Sequence, residues 1–519
     1  MIQVQIERDT AQENDVNFEI ATNRVFYSRW KNSSSDAVSD AINTFANESA
    51  SIVYAKGPGT AQRWARRYAE ELPENNEIPN ETNDLITYLR DSIHPKCSLV
   101  QCLMKRVAYH HGGLPDFVRE EIEELYIQRE IDVLFCTSTL LEGVNLPADK
   151  IFITSPVKAN EALTPFEFKN LTGRAGRLDQ HLCGMIFCIN IPNDDVENPF
   201  DAFRDNALKT VLPTINDRLA TSFDTIKSIL SEGKPTLPEE DVNLRGTVTV
   251  LRSQFLNSRE HAEAYIATKN LTDGQKIDIL NALSESTASM TMPSSLALKN
   301  PFVDPVLQEQ LYIAVLDDPQ KWMIRRETGF STDFEIVFKN LDNIFHIIPE
   351  IGPRGIHEYY RNDLLTFAKL WLRGKPFRNI VSRALPREIR TNGAATTSEV
   401  DAAIKKAMEF ISKDISFVTA KYFSVLSDMV ADLIPEDEID SFKMTLALPS
   451  MLELGCSDPK MLALITACVP RGAALKIGPL IPDGEEDPVE WLASNQGDAR
   501  FRALPSIYHK IMRRCGIWE

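Results

Sequence analysis

Residues 132–154, DVLFCTSTLLEGVNLPADKIFIT, decide how this chain folds. Two short apolar runs, DVLFCT (132–137) and KIFIT (150–154), bracket a segment of hydroxyls, glycine, asparagine and proline. The runs predict strands, and the bracketed segment predicts the loop between them. Working outward, the same alternation of β-branched runs with helical patterns spans about residues 42 to 195, adding SIVYA (51–55), RVAYH (106–110) and GMIFCIN (184–190). Strands that alternate with helices predict an α/β fold, a parallel sheet covered by helices. Such a sheet carries its ligand-binding groups on loops beyond the carboxyl ends of its strands. The chemically unusual residues of this chain fall at those places.

The most informative of them are in NLTGRAGR, Asn170 to Arg177, after a helix that starts near Thr164. Arg174 and Arg177 stand three apart, flanked by glycines that let backbone and ligand approach closely. A planar guanidinium fork suits phosphate oxygens. In phosphoryl transfer such arginines neutralise developing charge, and a supplied arginine finger is worth about 10³ to 10⁵ in rate. A solvated Gly-Arg turn is the competing reading of the same letters. Upstream, Thr137, Ser138 and Thr139 end a strand where hydroxyls and N–H groups meet a phosphate, and Gly143 and Asn145 follow. The segment VAYHHGGLPDFVREEIEELY joins a strand to an amphipathic helix through a loop, His110 to Leu114. Adjacent residues on a strand point to opposite faces and no third ligand lies nearby, which argues against a metal at His110 and His111. A nucleic-acid contact by one and packing by the other is the simpler expectation. The eight cysteines are scattered without zinc spacing, so no metal site is expected.

HHGGLP, CTSTLLEGVNLPA and NLTGRAGR, in that order and spacing, resemble helicase motifs four-a, five and six of the superkiller-like branch of superfamily-two DEAD/DEAH-box helicases, bacterial type. The resemblance covers residues 42 to 195 and implies a RecA-like helicase C-terminal domain. By position it implies that Arg174 and Arg177 face the ATP phosphates, with Arg177 as the finger. Gly143 and Asn145, with Asn170 and Gly173, take the nucleotide side. Thr137 and Thr139 touch the nucleic-acid backbone, His111 joins them, and Lys56 after SIVYA contacts phosphate. Asn170 stands where the family often has Gln, which weakens its link to the γ-phosphate.

The family's first RecA-like domain needs a G-x-x-x-x-G-K-[ST] loop to hold the phosphates and Mg²⁺. These 519 residues contain none. In KGPGT (56–60) the lysine precedes the glycines, and DEID (437–440) sits in helical sequence rather than after a strand. The expectation is therefore the C-terminal portion of an ATP-dependent helicase. ATP is shared with a first RecA-like half in another chain or a lost upstream segment, Mg²⁺ is held by that half, and this chain alone is inactive. The alternatives are a non-catalytic nucleic-acid-binding or regulatory module, and the remnant of a split or truncated gene. DNA and RNA are not distinguished.

The formal net charge is −18 with a pI near 5.1, so nucleic acid must be gripped by local basic patches rather than by bulk charge. KLWLRGKPFRNIVSRALPREIR (369–390) is such an island, with Arg378 and Arg383 as its candidate contacts and Trp371 and Phe377 interleaved for stacking or for core packing. No signal sequence and no run of about 18 apolar residues is present, so the reading is cytoplasmic and without membrane contact. Length predicts roughly two to four domains. Residues 1–41 read as a linker or the tail of a first RecA-like domain, 42–200 as the helicase C-terminal domain, and 201–350 and 351–519 as helical accessory regions.

Overall fold

The computed structural model describes residues 2–8, 15–20, 24–29, 34–46, 49–74, 77–141, 146–158, 161–175, 185–190, 219–235, 241–322, 342–344, 358–392 and 395–519. All five expected strands are present. They are β4 (Ser51–Tyr54), β5 (Val107–His110), β6 (Val133–Cys136), β7 (Lys150–Ile153) and β10 (Met185–Asn190). They lie parallel in the order β10-β7-β4-β6-β5. The side chains of β4, β5 and β6 are buried at every position, which explains why these runs read as continuously apolar.

The sheet continues past β10. Strand β1 (Ile2–Arg8) pairs in parallel with β10, from Ile2 opposite Phe187 to Gln5 opposite Asn190. Strands β2 (Asp15–Ile20) and β3 (Arg24–Arg29) then add antiparallel, giving eight strands in all. A two-stranded hairpin, β8 (Val157–Lys158) and β9 (Glu161–Ala162), stands apart from that sheet. Helices α1 (Ser34–Phe45), α2 (Pro58–Glu71), α3 (Asn80–Tyr88), α4 (Ser98–Leu103), α5 (Asp116–Ile127) and α6 (Pro165–Thr172) complete the layered α/β arrangement.

Contacts divide the chain into two compact units. The first comprises Met1–Lys209, Pro376–Met408 and Asn495–Glu519. Its two later segments dock by polar anchors on the RecA-like portion. Asp401, on the helix Thr397–Met408, accepts the Ser98 N–H that opens α4 at 3.1 Å, and Lys96 Nζ donates to the Ala395 carbonyl at 2.9 Å. On the helix Ser506–Arg514, the Tyr508 hydroxyl donates to Asp91 at 2.8 Å. Lys510 and Arg514 both reach Glu121, a carboxylate 1% exposed.

The second unit, Thr210–Lys375 with Glu409–Ser494, is helical among its described residues. Helices Phe223–Ser231, Val242–Asn257, Arg259–Ala267 and Asp273–Thr287 enclose a core that includes Ile226, Val248, Leu251, Ile266 and Leu283. Fully buried Arg252 is neutralised by Asp304 at 2.7 Å and also donates to Ser286. DEID (437–440) falls in a 3₁₀ segment, Glu436–Phe442, not at a strand end.

Candidate functional site

Register fixes where the site is. His110 pairs across with Cys136, Cys136 with Tyr54, and Tyr54 with Ile153. The strands β5, β6, β4 and β7 therefore end together, and the segments after them all leave one edge of the sheet. Lys56, His111, Thr137 and Thr139 emerge there. Lys56 is exposed in the short link to α2, where Gly57 is the N-cap and Pro58 opens the helix. A lysine before a helix N-terminus has its charge free to meet an anion drawn to the first-turn amides.

On β6, Cys136 is fully buried and Thr137 is 5% exposed, while Thr139 is half-buried in a 3₁₀ turn, Ser138–Leu141. Their hydroxyl oxygens are 3.3 Å apart. Both histidines of the His110–Leu114 segment are buried. His110 reaches Glu123 on α5 at 2.8 Å and Thr139 at 3.3 Å. The His111 ring lies parallel to that of Tyr109, with centroids 5.6 Å apart, and its Nδ1 accepts the Gly113 N–H at 3.0 Å. Its Nε2 is buried with no hydrogen-bond partner among the described residues. Burial, reinforced by His110, Lys405 and Arg119, pushes the His111 pKa down to about 3.

The Gly-Arg turn is built by α6. Thr164 caps that helix through a reciprocal bond with Glu167, and Pro165 starts it. The helix ends at Thr172, and a Cβ on Gly173 would come within 3.1 Å of the Lys169 carbonyl, so the close approach suits glycine. Asn170 is exposed on the last turn. Arg174 follows. Its carbonyl accepts the Ala148 N–H at 3.1 Å, and Ala175 forms a parallel bridge with Ala148. The turn is thereby stitched to the backbone just before β7. The Arg174 side chain is half-buried, with its Nε enclosed and unpartnered among the described residues. Burial lowers its pKa, and Cys136 opposes that shift. A guanidinium held this way has hydrogen-bonding capacity in reserve for an anion.

Residues 82–179 match the helicase conserved C-terminal domain family. The chain carries a superfamily-two helicase C-terminal domain. A helicase POLQ-like protein of Drosophila melanogaster is 29% identical over 152 residues, covering 28% of this chain and 14% of that protein. Anti-bacteriophage protein B of Escherichia coli (strain K12) is 29% identical over 153 residues, 29% of this chain and 20% of its own length. The ATP-dependent DNA helicase Hel308 of Caldivirga maquilingensis is 27% identical over 202 residues, 36% of this chain and 26% of its own. The chain thus aligns with no more than about a quarter of the length of these relatives.

Three of the expected helicase residues, Gly143, Asn145 and Arg177, lie outside the described residues. Arg378 and Arg383 lie on the helix Phe377–Ala384, which buries Phe377, Ile380, Val381 and Ala384 and leaves Arg378 exposed and Arg383 half-buried. Within the second unit, Trp371 donates its indole N–H to the Leu452 carbonyl at 2.8 Å and is covered by the Arg471 guanidinium, 3.8 Å from its ring centre. Trp371 and Phe377 are thus engaged in protein packing. Sequence reading missed Glu123, the partner of His110. An amphipathic helix announces which face is buried, but not which of its acids meets a strand-end histidine.

Among the described residues no helix is long and apolar enough to cross a membrane.

Proposed function

We propose that this chain supplies the second RecA-like half of a composite ATP hydrolase that acts on single-stranded nucleic acid, within the superkiller-like, bacterial branch of superfamily two. Arg174 carries this reading. Its backbone is fixed to Ala148 while its Nε is enclosed without a partner, an arrangement suited to a phosphoryl group approaching the carboxyl edge of the sheet. With Arg177 it neutralises charge as the γ-phosphoryl is transferred, and Gly143, Asn145, Asn170 and Gly173 shape the nucleotide side. The phosphate cradle, the Mg²⁺ ligands and the water-orienting acid belong to a first RecA-like half, since these 519 residues contain no G-x-x-x-x-G-K-[ST] loop. Thr137, Thr139 and Lys56 face the nucleic-acid backbone.

The test is reconstitution. The purified chain, mixed with or fused to an N-terminal RecA-like helicase half, is expected to show nucleic-acid-stimulated hydrolysis that neither part shows alone. Robust hydrolysis by the chain by itself, unaffected by Arg177→Ala, overturns the composite-site reading.

A further inference from the structure

Fully buried His110 stands at the centre of a chain of four side chains drawn from β5, α5 and the end of β6. Glu123 Oε1 is 2.8 Å from its Nε2, Thr139 Oγ1 is 3.3 Å from its Nδ1, and Thr137 Oγ1 is 3.3 Å further on. Donor and acceptor roles follow from elementary rules. An ionised carboxylate only accepts, so Nε2 carries hydrogen and donates to Glu123. In the neutral ring Nδ1 is then an acceptor, and the Thr139 hydroxyl is its donor. With its single hydrogen committed, Thr139 accepts from Thr137, whose single hydrogen is committed in turn. Both threonines then show a phosphate lone pairs alone.

We infer that His110, oriented by Glu123, is a positioning residue that sets the direction of the Thr139 and Thr137 hydroxyls, and that gripping a phosphate there reverses the chain with uptake of one proton. The inference rests on the reading that these threonines face a nucleic-acid backbone. One solvent proton adds to Nδ1, which turns from acceptor to donor toward Thr139. The Thr139 and Thr137 hydrogens are released to point outward, where a phosphate oxygen accepts them. No covalent bond other than the new N–H changes. The resulting imidazolium lies between the Glu123 carboxylate and the bound phosphate, so both neighbours stabilise its charge.

The other titratable groups around His110 do not duplicate the device. His111, next along the chain, is held neutral by burial. Cys136, its partner across the strands, has its thiol pushed up by burial and also stays neutral. The cations nearby, Arg119 on α5 and Lys405 on the helix Thr397–Met408, act on His111. Their charge helps to keep His111 neutral, which leaves His110 as the imidazole in contact with the threonine hydroxyls.

The experiment measures binding of fluorescein-labelled oligo-dT to the whole chain across the histidine titration range, about pH 5 to 8. Wild type is expected to tighten as pH falls, approaching about tenfold per pH unit where the proton is taken up. His110→Asn, which has no titrating ring, and Thr139→Val, which leaves the His110–Glu123 pair in place, should both lose that component. Calorimetry in two buffers of different ionisation enthalpy should count about one proton for wild type and near zero for Thr139→Val. If His110→Asn fails to fold by thermal melting, Thr139→Val decides the matter. Equal pH dependence in wild type and Thr139→Val overturns the relay while leaving nucleic-acid binding intact. Absence of oligo-dT binding at every pH overturns the nucleic-acid reading and the relay with it.

Discussion

The carbonyl of Arg174 accepts the backbone N–H of Ala148 at 3.1 Å. Main chain and side chain at this position are therefore separable, since the backbone holds the turn while the guanidinium Nε has no hydrogen-bond partner among the described residues. In the reconstituted pair, Arg174→Lys keeps the charge and the backbone bond but loses the fork. Turnover should fall by roughly 10² or more, toward the roughly 10³ to 10⁵ that a transition-state arginine supplies, while the melting temperature of the chain barely moves. A stopped-flow phosphate-release assay beside a thermal melt checks both halves. A large loss of stability with unchanged turnover would make Arg174 a structural residue.

Arg378 and Arg383 belong to a helix whose apolar face is buried, so their removal leaves the packing alone. Arg378→Ala with Arg383→Ala should weaken oligonucleotide binding and flatten its salt dependence by roughly 0.7 in log–log slope per lost phosphate contact. Titrations at several salt concentrations read this directly. An unchanged slope would assign the two arginines to a solvated face.

His111 makes acid stability a local matter. Its folded pKa lies at about 3 against an ordinary 6.5, so between those values the unfolded chain binds a proton that the folded chain refuses. Stability is full above the unfolded value and is lost as pH falls toward the folded one, by on the order of a few kcal/mol. Urea melts of wild type and His111→Gln across that interval should differ in slope by up to one proton. Parallel slopes would show that His111 is hydrated rather than enclosed.

Glu121 is buried beneath Lys510 and Arg514. Burial raises its pKa, and the two cations pull it back. Lys510→Met with Arg514→Met leaves a buried carboxylate unpaired and should cost roughly 1 to 3 kcal/mol. Adding Glu121→Gln should recover part of that loss, because the charge that needed company is gone. A double-mutant cycle by chemical denaturation gives the coupling. Simple additivity would mean that the helix Ser506–Arg514 is held by its apolar contacts alone.

Much of the helicase C-terminal domain was legible because its central strands are buried on both faces, so the runs at 51–55, 106–110, 132–137, 150–154 and 184–190 stand out as apolar blocks. Strand partners were not. The alternation in residues 2–29 signals extended chain, but nothing local says that Ile2 will lie opposite Phe187. The threonines and the Gly-Arg turn were visible as motifs, whereas the Glu123–His110 bond required the fold to bring helix and strand together. Trp371 and Phe377 read equally well as stacking platforms or as packing. For Trp371 the difference lies in Arg471 and the Leu452 carbonyl, some 80 to 100 positions further along.

The first compact unit has consequences for how the polypeptide is made. Its RecA-like sheet leaves the ribosome before two of the segments that complete the unit, Pro376–Met408 and Asn495–Glu519. The hydrogen bond from Ser506 to Asp84 spans 422 positions of chain. Closing so long a span adds only logarithmically to the entropic cost of the contact, so it burdens the timetable of folding more than the final stability. During synthesis the acidic face of α5 around Glu121 waits for its cations while the intervening helices emerge and collapse on their own. A nascent chain stalled before residue 495 would hold a complete sheet with an unneutralised carboxylate on its flank.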